Sequence, residues 1–163
     1  MIYYTQVPSP IGQLTLCGDG QVLTGLYFST GSKARGADPS WVENAACFAE
    51  ASKQLEEYFA GPRRDFDLEL KPQSTPFQSQ VLQALQTIPY GEVCSYKDIA
   101  EQIGNPKAVR AVGTANGSNP IAIIIPCHRV IGSNGALTGF GGGLDAKRHL
   151  LALEKDQTGL FAT

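Results

Sequence analysis

The chain has few of the features that mark a metal site, a disulfide framework or a membrane protein. Its 163 residues include only two histidines and four cysteines, which are Cys17, Cys47, Cys94 and Cys127. No CxxC pair occurs among them, so a structural zinc site is not expected. No apolar run approaches the roughly 20 residues that a transmembrane helix needs.

The first ten residues, MIYYTQVPSP, lack the charged start, apolar centre and small-residue cleavage site of a secretory signal. We therefore expect a cytoplasmic protein that makes no membrane contact. Disulfides are rare in that reducing compartment, which leaves at least one thiol available for chemistry.

Charge of either sign is also scarce, and the net charge is −2. The distribution is uneven. Residues 1–70 carry five basic and nine acidic side chains, whereas residues 71–163 carry eight and six, a net charge of +2 for the second part. This mild positive charge permits DNA contact through the second part alone, but does not demonstrate it.

The first part is predicted to form a small antiparallel sheet followed by a helix. Three segments rich in β-branched, aromatic and aliphatic residues are separated by turn sequences and lie at 2–6, 14–17 and 22–28. Apolar residues at helical spacing then predict a helix over 41–60. Alternation at 66–70 predicts a further strand leading to a linker. The predicted domains are therefore 1–72 and 73–163.

The second part begins with helix signals. Thr75 and Gln78 form a predicted capping box, and Ser95 and Asp98 form another. Gly104 ends the second of these helices, and a further helix follows at once. Two short helices joined by a glycine turn are typical of a helix-turn-helix, although a plain helical hairpin fits the pattern equally well.

The most unusual stretch is IAIIIPCHRVIG, at 121–132, where an apolar run predicts a buried strand that delivers Cys127 and His128. A thiolate is a strong nucleophile, and a histidine can take the thiol proton. Strand neighbours point to opposite faces, so the two side chains cooperate only if the chain turns at Pro126 or a water bridges them. Without further context, an ordinary buried cysteine explains the residue as well.

Downstream, a glycine loop at 139–143 precedes a last helix predicted over 144–154, and 155–163 is expected to fray.

Several motifs in a fixed order resemble the O6-alkylguanine-DNA alkyltransferase family. PCHRV follows RAVG, with 17 residues from Arg110 to Cys127. The match runs from Thr75 to Glu154 through the motifs TPFQ, IPYGEV-SY, RAVG-AN--NP, IPCHRVIG, G-LTGFGGG and K--LL-LE. Residues 1–72 are similar only in layout.

This resemblance implies an α+β fold, with a small N-terminal antiparallel sheet plus helix, then a mainly helical domain with a winged-helix-like helix-turn-helix. It implies DNA repair by irreversible, stoichiometric transfer of an alkyl group from O6 of guanine in duplex DNA to Cys127, after the nucleotide is flipped from the stack. O4 of thymine is left open as a second position. Such a single-turnover, suicide methyltransferase needs no cofactor, no metal and no obligate protein partner, and we expect a monomer.

The resemblance also implies a role for each site residue. Cys127 accepts the alkyl group, His128 deprotonates it through a water, and Glu154 holds the histidine. Asn119 fixes the nearby backbone. Tyr96 donates a proton or a hydrogen bond to the leaving guanine, and it lies near the phosphate of the target nucleotide.

The implied recognition helix, 107–116, enters the minor groove, and Arg110 fills the gap left by the flipped base. Close approach to the groove is assigned to the small residues Ala108, Ala111 and Gly113.

The implied substrate pocket is formed by Tyr96 and by Val130, Phe140, Gly141 and Lys147. Phe140 stands where some relatives carry tyrosine, which leaves the preference for larger alkyl groups open. For Arg129 we expect an ion pair inside the domain.

Three other functions are compatible with parts of the pattern. A non-catalytic, alkyltransferase-like damage-binding protein would lack the reactive cysteine, and Cys127 is present. A winged-helix regulator that only binds DNA would explain the helix-turn-helix pattern, but it would not explain the motif PCHRV or the match at Lys147 and Glu154. A cysteine hydrolase would use Cys-His-Glu for many turnovers and would ignore DNA.

Overall fold

The N-terminal part is built on a four-stranded sheet. The computed structural model describes residues 1–31, 34–137, 140 and 142–159. Three antiparallel strands lie within one residue of their predicted bounds and are β1 (Tyr3–Val7), β2 (Leu14–Gly18) and β3 (Leu23–Phe28). A fourth, β4 (Val42–Glu43), pairs in parallel with β1, giving the order β3-β2-β1-β4. The sheet is therefore mixed rather than purely antiparallel.

The helix that follows begins later than the predicted position 41, because β4 takes up the start of that segment. A 3₁₀ turn, Ala45–Phe48, leads into α1 (Ala49–Ala60). Gly61 ends α1 in the left-handed conformation, with φ of 111°.

The strand predicted over 66–70 is wrong, apart from a single bridge between Leu23 and Leu70. The side chain of Gln54 explains the difference. It donates to the carbonyl of Asp67 at 3.0 Å and accepts from the Asp67 amide at 2.8 Å. The backbone of Asp67 is thus satisfied by a side chain, and among the described residues pairing with β3 is limited to the hydrogen bonds of Glu69 and Lys71 with Leu23.

The described C-terminal residues contain four helices, including the predicted helix-turn-helix. The helices are α2 (Pro76–Leu85), α3 (Tyr96–Gln102), α4 (Val109–Gly117) and α5 (Leu144–Gly159). Both capping boxes, at Thr75 and at Ser95, are present. A short parallel pair, β5 (Cys94–Ser95) with β6 (Val130–Ile131), was not predicted.

The last helix is longer than predicted, since 155–159 continues α5 instead of fraying, and the rest of the segment predicted to fray, 160–163, lies outside the described residues. Gln157 packs against α1 at Gly61, where an added Cβ would lie 2.6 Å from the Gln157 amide nitrogen. This contact with the first part of the chain gives the end of α5 a tertiary partner.

The buried strand predicted over 121–125 is also wrong. Only Ile121 makes a bridge, to Leu26, and Ile123 adopts a positive φ of 71°. Asn119 holds the segment instead. Its Oδ1 accepts from the Ile121 amide at 3.0 Å, and its Nδ2 donates to the carbonyl of Ile125 at 2.8 Å. The apolar run is buried as expected, but it turns on itself.

One continuous core joins the two parts, so the sheet packs directly against the helical region. Its fully buried members include Leu16, Leu26, Leu85, Ile99, Ile125 and Leu150. No helix within the described ranges combines the length and the apolar character needed to cross a membrane.

The cap of α2 allows a test of the fold. Replacing Thr75 with alanine removes the acceptor for the Gln78 amide, so we expect the free energy of unfolding to fall by about 1 kcal/mol in urea titration. Gln73→Ala, at an exposed position just before the helix, is the control and should change it by less than about 0.5 kcal/mol. Equal effects of the two variants would contradict the capping role.

Candidate active site

Cys127 is the first residue of a buried 3₁₀ turn, Cys127–Arg129, so of the two possibilities left open by the sequence the chain does turn after Pro126. Only 4% of the Cys127 surface is exposed. Its carbonyl accepts from Nδ2 of Asn116 on α4 at 3.3 Å. The nucleophile is therefore held from the helix-turn-helix side as well as by its own turn.

The thiol of Cys127 is not intrinsically acidic. Burial raises its pKa above the ordinary value, while a hydrogen bond with Asn119 and the positive charge of Lys147 act in the opposite direction. The resting thiol is therefore protonated at neutral pH and needs a base to become a nucleophile.

The neighbouring residue in the same turn, His128, carries a side chain that can accept a proton. The His128 side chain is fully buried, and its Nε2 lies 2.7 Å from Oε2 of Glu154. Burial lowers the pKa of His128, although Glu154 opposes this effect, so the imidazole is neutral at neutral pH. Since an ionised carboxylate can only accept, we assign the proton to Nε2. The lone pair is then on Nδ1, which makes no hydrogen bond to any residue that the structure describes.

Glu154 remains ionised despite its burial. Burial alone would raise its pKa, but hydrogen bonds from His128 and Arg129 lower it to about 2. Arg129 donates from Nε to Oε1 at 2.8 Å and from Nη2 to Oε2 at 3.1 Å. Its Nη1 donates to the carbonyl of Ile88 at 2.7 Å. The ion pair expected for Arg129 is therefore confirmed, and its partner is the carboxylate that orients the histidine.

The structure adds two residues that sequence reasoning missed. Tyr58, on α1, donates its hydroxyl to Oε2 of Glu154 at 2.6 Å. Asn116 holds the Cys127 carbonyl, and its own Oδ1 is buried without a partner among the described residues. A tyrosine on the apolar face of a helix is typical of a core, so the sequence carries no signal for the first. Asn116 does lie within the RAVG-AN motif.

Two of the residues expected in the pocket are linked to each other. Lys147 is fully buried and donates from Nζ to the carbonyl of Val130 at 2.6 Å, which joins α5 to β6. Burial lowers the pKa of this lysine, and the proximity of Cys127 raises it. Lys147 thus places a cationic group near the thiol and also anchors the strand that follows the active-site turn.

Two described residues of the glycine loop, Phe140 and Gly142, contact the N-terminal sheet. Phe140 is buried against Phe28 of β3, with ring centroids 5.3 Å apart. A Cβ on Gly142 would approach the Phe28 ring to 2.7 Å, so this close contact requires glycine. Gly141, the other expected pocket residue of this loop, lies outside the described residues.

The residues expected to contact DNA lie together on α4 or beside it. Arg110 and Ala111 are exposed, and Ala108 and Gly113 are half-buried. The ring of Tyr96 packs over Gly113, where a Cβ would lie 3.9 Å from the ring. A cleft along this face extends to the start of α2 and is lined by Thr75, Gln78, Lys107, Arg110 and Thr114.

Comparison with known proteins gives matches over nearly the whole chain. Residues 76–156 match the family model "6-O-methylguanine DNA methyltransferase, DNA binding domain", and residues 2–72 match its "ribonuclease-like domain".

A methylated-DNA–protein-cysteine methyltransferase of Methanosarcina acetivorans is 56% identical over 153 residues, covering 94% of this chain and 98% of the relative. A protein of the same name from Mycolicibacterium paratuberculosis is 57% identical over 157 residues, covering 95% and 93%. Mycobacterium tuberculosis OGT, crystallised in complex with DNA, superposes with a TM-score of 0.90 at 53% identity over 95% of this chain and 94% of that one.

Because Glu154 is buried and ionised, we expect the free energy of unfolding to depend on pH. Because its pKa is depressed in the folded protein, its contribution is present above the ordinary carboxyl value of 4.5 and is lost as pH falls toward about 2. Glu154→Gln leaves Arg129 without a counter-charge, so we expect a loss of roughly 3–5 kcal/mol at neutral pH. The difference in the free energy of unfolding between the variant and the wild type should become smaller as the pH falls from 4.5 toward about 2, and urea unfolding at a series of pH values measures it.

The matched control is Glu57→Gln, which removes a carboxylate from a surface ion pair with Arg63. We expect it to cost less than about 1 kcal/mol at neutral pH. A Glu154→Gln chain as stable as this control would show that the buried pair does not stabilise the fold.

Proposed function

The chain belongs to the 6-O-methylguanine DNA methyltransferase family, and on that premise we propose that it repairs DNA by moving an alkyl group from O6 of guanine to the sulfur of Cys127. One observation carries the assignment. A buried thiol lies beside a neutral histidine whose Nδ1 meets no donor within the described ranges, and an ionised carboxylate holds the opposite ring nitrogen. This is the arrangement of an activated nucleophile.

In the proposed reaction, the Cys127 proton passes through a water to Nδ1 of His128. The thiolate then attacks the alkyl carbon, a C–S bond forms and the C–O6 bond breaks. Tyr96 donates a hydrogen bond or proton to the departing guanine, where negative charge develops. The product is a thioether, which water does not cleave, so each molecule acts once. The lesion supplies the alkyl group, so no separate donor cofactor is needed.

The pKa directions favour a neutral thiol beside a neutral imidazole in the free protein. An ordinary thiol pKa lies about two units above that of imidazole, and burial raises the first while it lowers the second. Proton transfer from Cys127 to His128 is therefore unfavourable in the free protein. Asn119 and Lys147 reduce this cost by stabilising the thiolate.

DNA binding is assigned to α4 and the start of α2. The target oxygen lies within the base stack, so the nucleotide must leave it before the thiol can reach the alkyl carbon. We assign the exposed Arg110, on α4, to the gap left by the nucleotide, and the small residues Ala108, Ala111 and Gly113 to close approach to the minor groove. The relative crystallised with DNA supports DNA binding as such, and the choice of α4 rests on the resemblance.

The remaining assignments rest on the resemblance. The flipped base is proposed to enter a pocket formed by Tyr96 and by Val130, Phe140, Gly141 and Lys147. O4 of thymine stays open as a second target atom. We propose a monomer that acts in the cytoplasm, with domains 1–72 and 73–163. The two family models support that division, since they adjoin in the same interval.

The transfer itself is the first prediction to test. After incubation with a duplex carrying one O6-methylguanine, the intact protein should gain the mass of one methyl group and no more. Cys127→Ala should gain none, while Cys47→Ala, which lacks a half-buried cysteine beside α1, should react like the wild type. Unmodified wild-type protein that still binds the duplex would instead indicate a damage-binding or regulatory protein. Repeated turnover on an ester without methylation would indicate a hydrolase.

Base flipping gives a second prediction. Arg110→Ala should slow methyl transfer from a duplex by about tenfold or more, since extrusion of a paired base costs a few kcal/mol that the arginine offsets. Transfer from a single-stranded oligonucleotide should fall much less.

Arg148→Ala is the matched control, because it removes the same charge from an exposed pair with Asp145 on α5. It should leave both rates unchanged. Equal losses on duplex and single strand would contradict the role of Arg110 as the residue that replaces the flipped base.

A further inference from the structure

We propose that Tyr58, in the N-terminal sheet-and-helix part of the chain, is a positioning residue for alkyl transfer, because its hydroxyl fixes the Glu154 carboxylate that orients His128. The inference rests on the proposed function. It also gives residues 1–72 a direct part in the chemistry, through a hydrogen bond between residues 96 positions apart.

The carboxylate of Glu154 is saturated with donors. Oε2 accepts from Tyr58 at 2.6 Å, from His128 at 2.7 Å and from Arg129 at 3.1 Å. Oε1 accepts from Nε of Arg129 at 2.8 Å and from the Gly91 amide at 3.3 Å. Two carboxylate oxygens offer about four lone-pair sites, so five donors leave the group no alternative orientation. Tyr58 makes the shortest of these five contacts.

Tyr58 is itself fixed by packing. Its side chain is fully buried, and its ring contacts Phe59, Phe66 and Tyr90, with centroids 5.2, 5.4 and 6.2 Å away. Burial, and then the charge of Glu154, raise the pKa of this phenol, so it remains a donor at every working pH. The hydroxyl is thus a rigid donor aimed at Oε2 of Glu154, the oxygen that also accepts the hydrogen bond from Nε2–H of His128.

The bond should affect the histidine and not only the fold. A donor to Oε2 withdraws charge from the oxygen that polarises His128 Nε2–H. Without it, the carboxylate would stabilise the imidazolium more strongly and would be freer to rotate. The first change raises the pKa of His128, so the imidazole stays protonated, and unable to accept the Cys127 proton, up to a higher pH. The second change turns Nδ1 away from the path of that proton and slows the transfer at every pH. The other ionisable groups around this pair are Arg129, Lys147, Cys127, Tyr90 and Arg64, and the proposed variants retain all of their charges.

The chain offers a close control in Tyr90. It belongs to the same aromatic cluster and stacks beneath Arg129, but its buried hydroxyl makes no hydrogen bond to any residue within the described part of the chain. Tyr90→Phe therefore removes a buried hydroxyl from the same region without altering the ligands of Glu154. Phe66→Leu is a second control, because it loosens the packing around Tyr58 while retaining the hydroxyl.

The experiment measures single-turnover methyl transfer from an O6-methylguanine duplex at a series of pH values, together with the Kd for that duplex. We expect Tyr58→Phe to lower the maximal rate by about tenfold, the equivalent of a hydrogen bond to a charged group, with the Kd changed by less than about twofold. The acid limb of its rate profile should move to higher pH. Tyr90→Phe should match the wild type, and Phe66→Leu should melt earlier but retain the rate and the pH profile.

Ring-proton NMR provides an independent readout, since His128 and His149 are the only histidines. The His128 resonance should titrate at higher pH in Tyr58→Phe than in the wild type or in Tyr90→Phe. A Tyr58→Phe protein with the wild-type rate and profile would overturn the inference, as would a loss equalled by Phe66→Leu at the same fraction folded. If the wild type itself transfers no methyl group, the proposed function fails instead.

Discussion

The buried carboxylate of Glu154 is the constraint on which the site depends. A single charge in the interior would be protonated or expelled, and Arg129 prevents both by forming a two-point contact with it. Arg129 is the third residue of the turn that begins with Cys127 and continues with His128. The ion pair therefore helps to orient the whole turn. Within the turn, Arg129 binds the carboxylate, His128 is oriented by it, and Cys127 carries the thiol. A regular strand would send neighbouring side chains to opposite faces and could not do this.

The same burial regulates reactivity. A thiol with a lowered pKa would react with many electrophiles and oxidants, which is harmful in a protein that is consumed by one reaction. Here burial keeps the Cys127 thiol and the His128 imidazole neutral. In the proposed mechanism, the thiolate forms only as the proton moves from Cys127 to His128. On that proposal, burial would account for a low reactivity of the resting thiol, and the proton transfer to His128 for its activation beside the substrate.

The sequence correctly predicted the features that depend on residues close together in the chain. Turn residues and β-rich segments located three strands, and the hydrogen bonds that close the boxes at Thr75 and Ser95 lie within four residues of chain. The prediction failed over 121–125, because a short apolar run is buried equally well as a strand or as a turn, and the long-range bonds of Asn119 decide between them. The resemblance supplied Cys127, His128 and Glu154. It could not supply Tyr58, whose partner lies in another part of the chain.

The two parts of the molecule approach the active-site turn from different directions. The helix-turn-helix contacts it through Asn116, on the helix whose outer face carries Arg110. The N-terminal part supports it from behind, with Tyr58 on Glu154 and with Phe28 on the loop at Phe140. Because the supporting contacts are buried, residues 1–72 can stabilise the catalytic geometry without occupying the surface assigned to DNA. The acidic charge of residues 1–70 is compatible with this division, since it would oppose phosphate contact on that side.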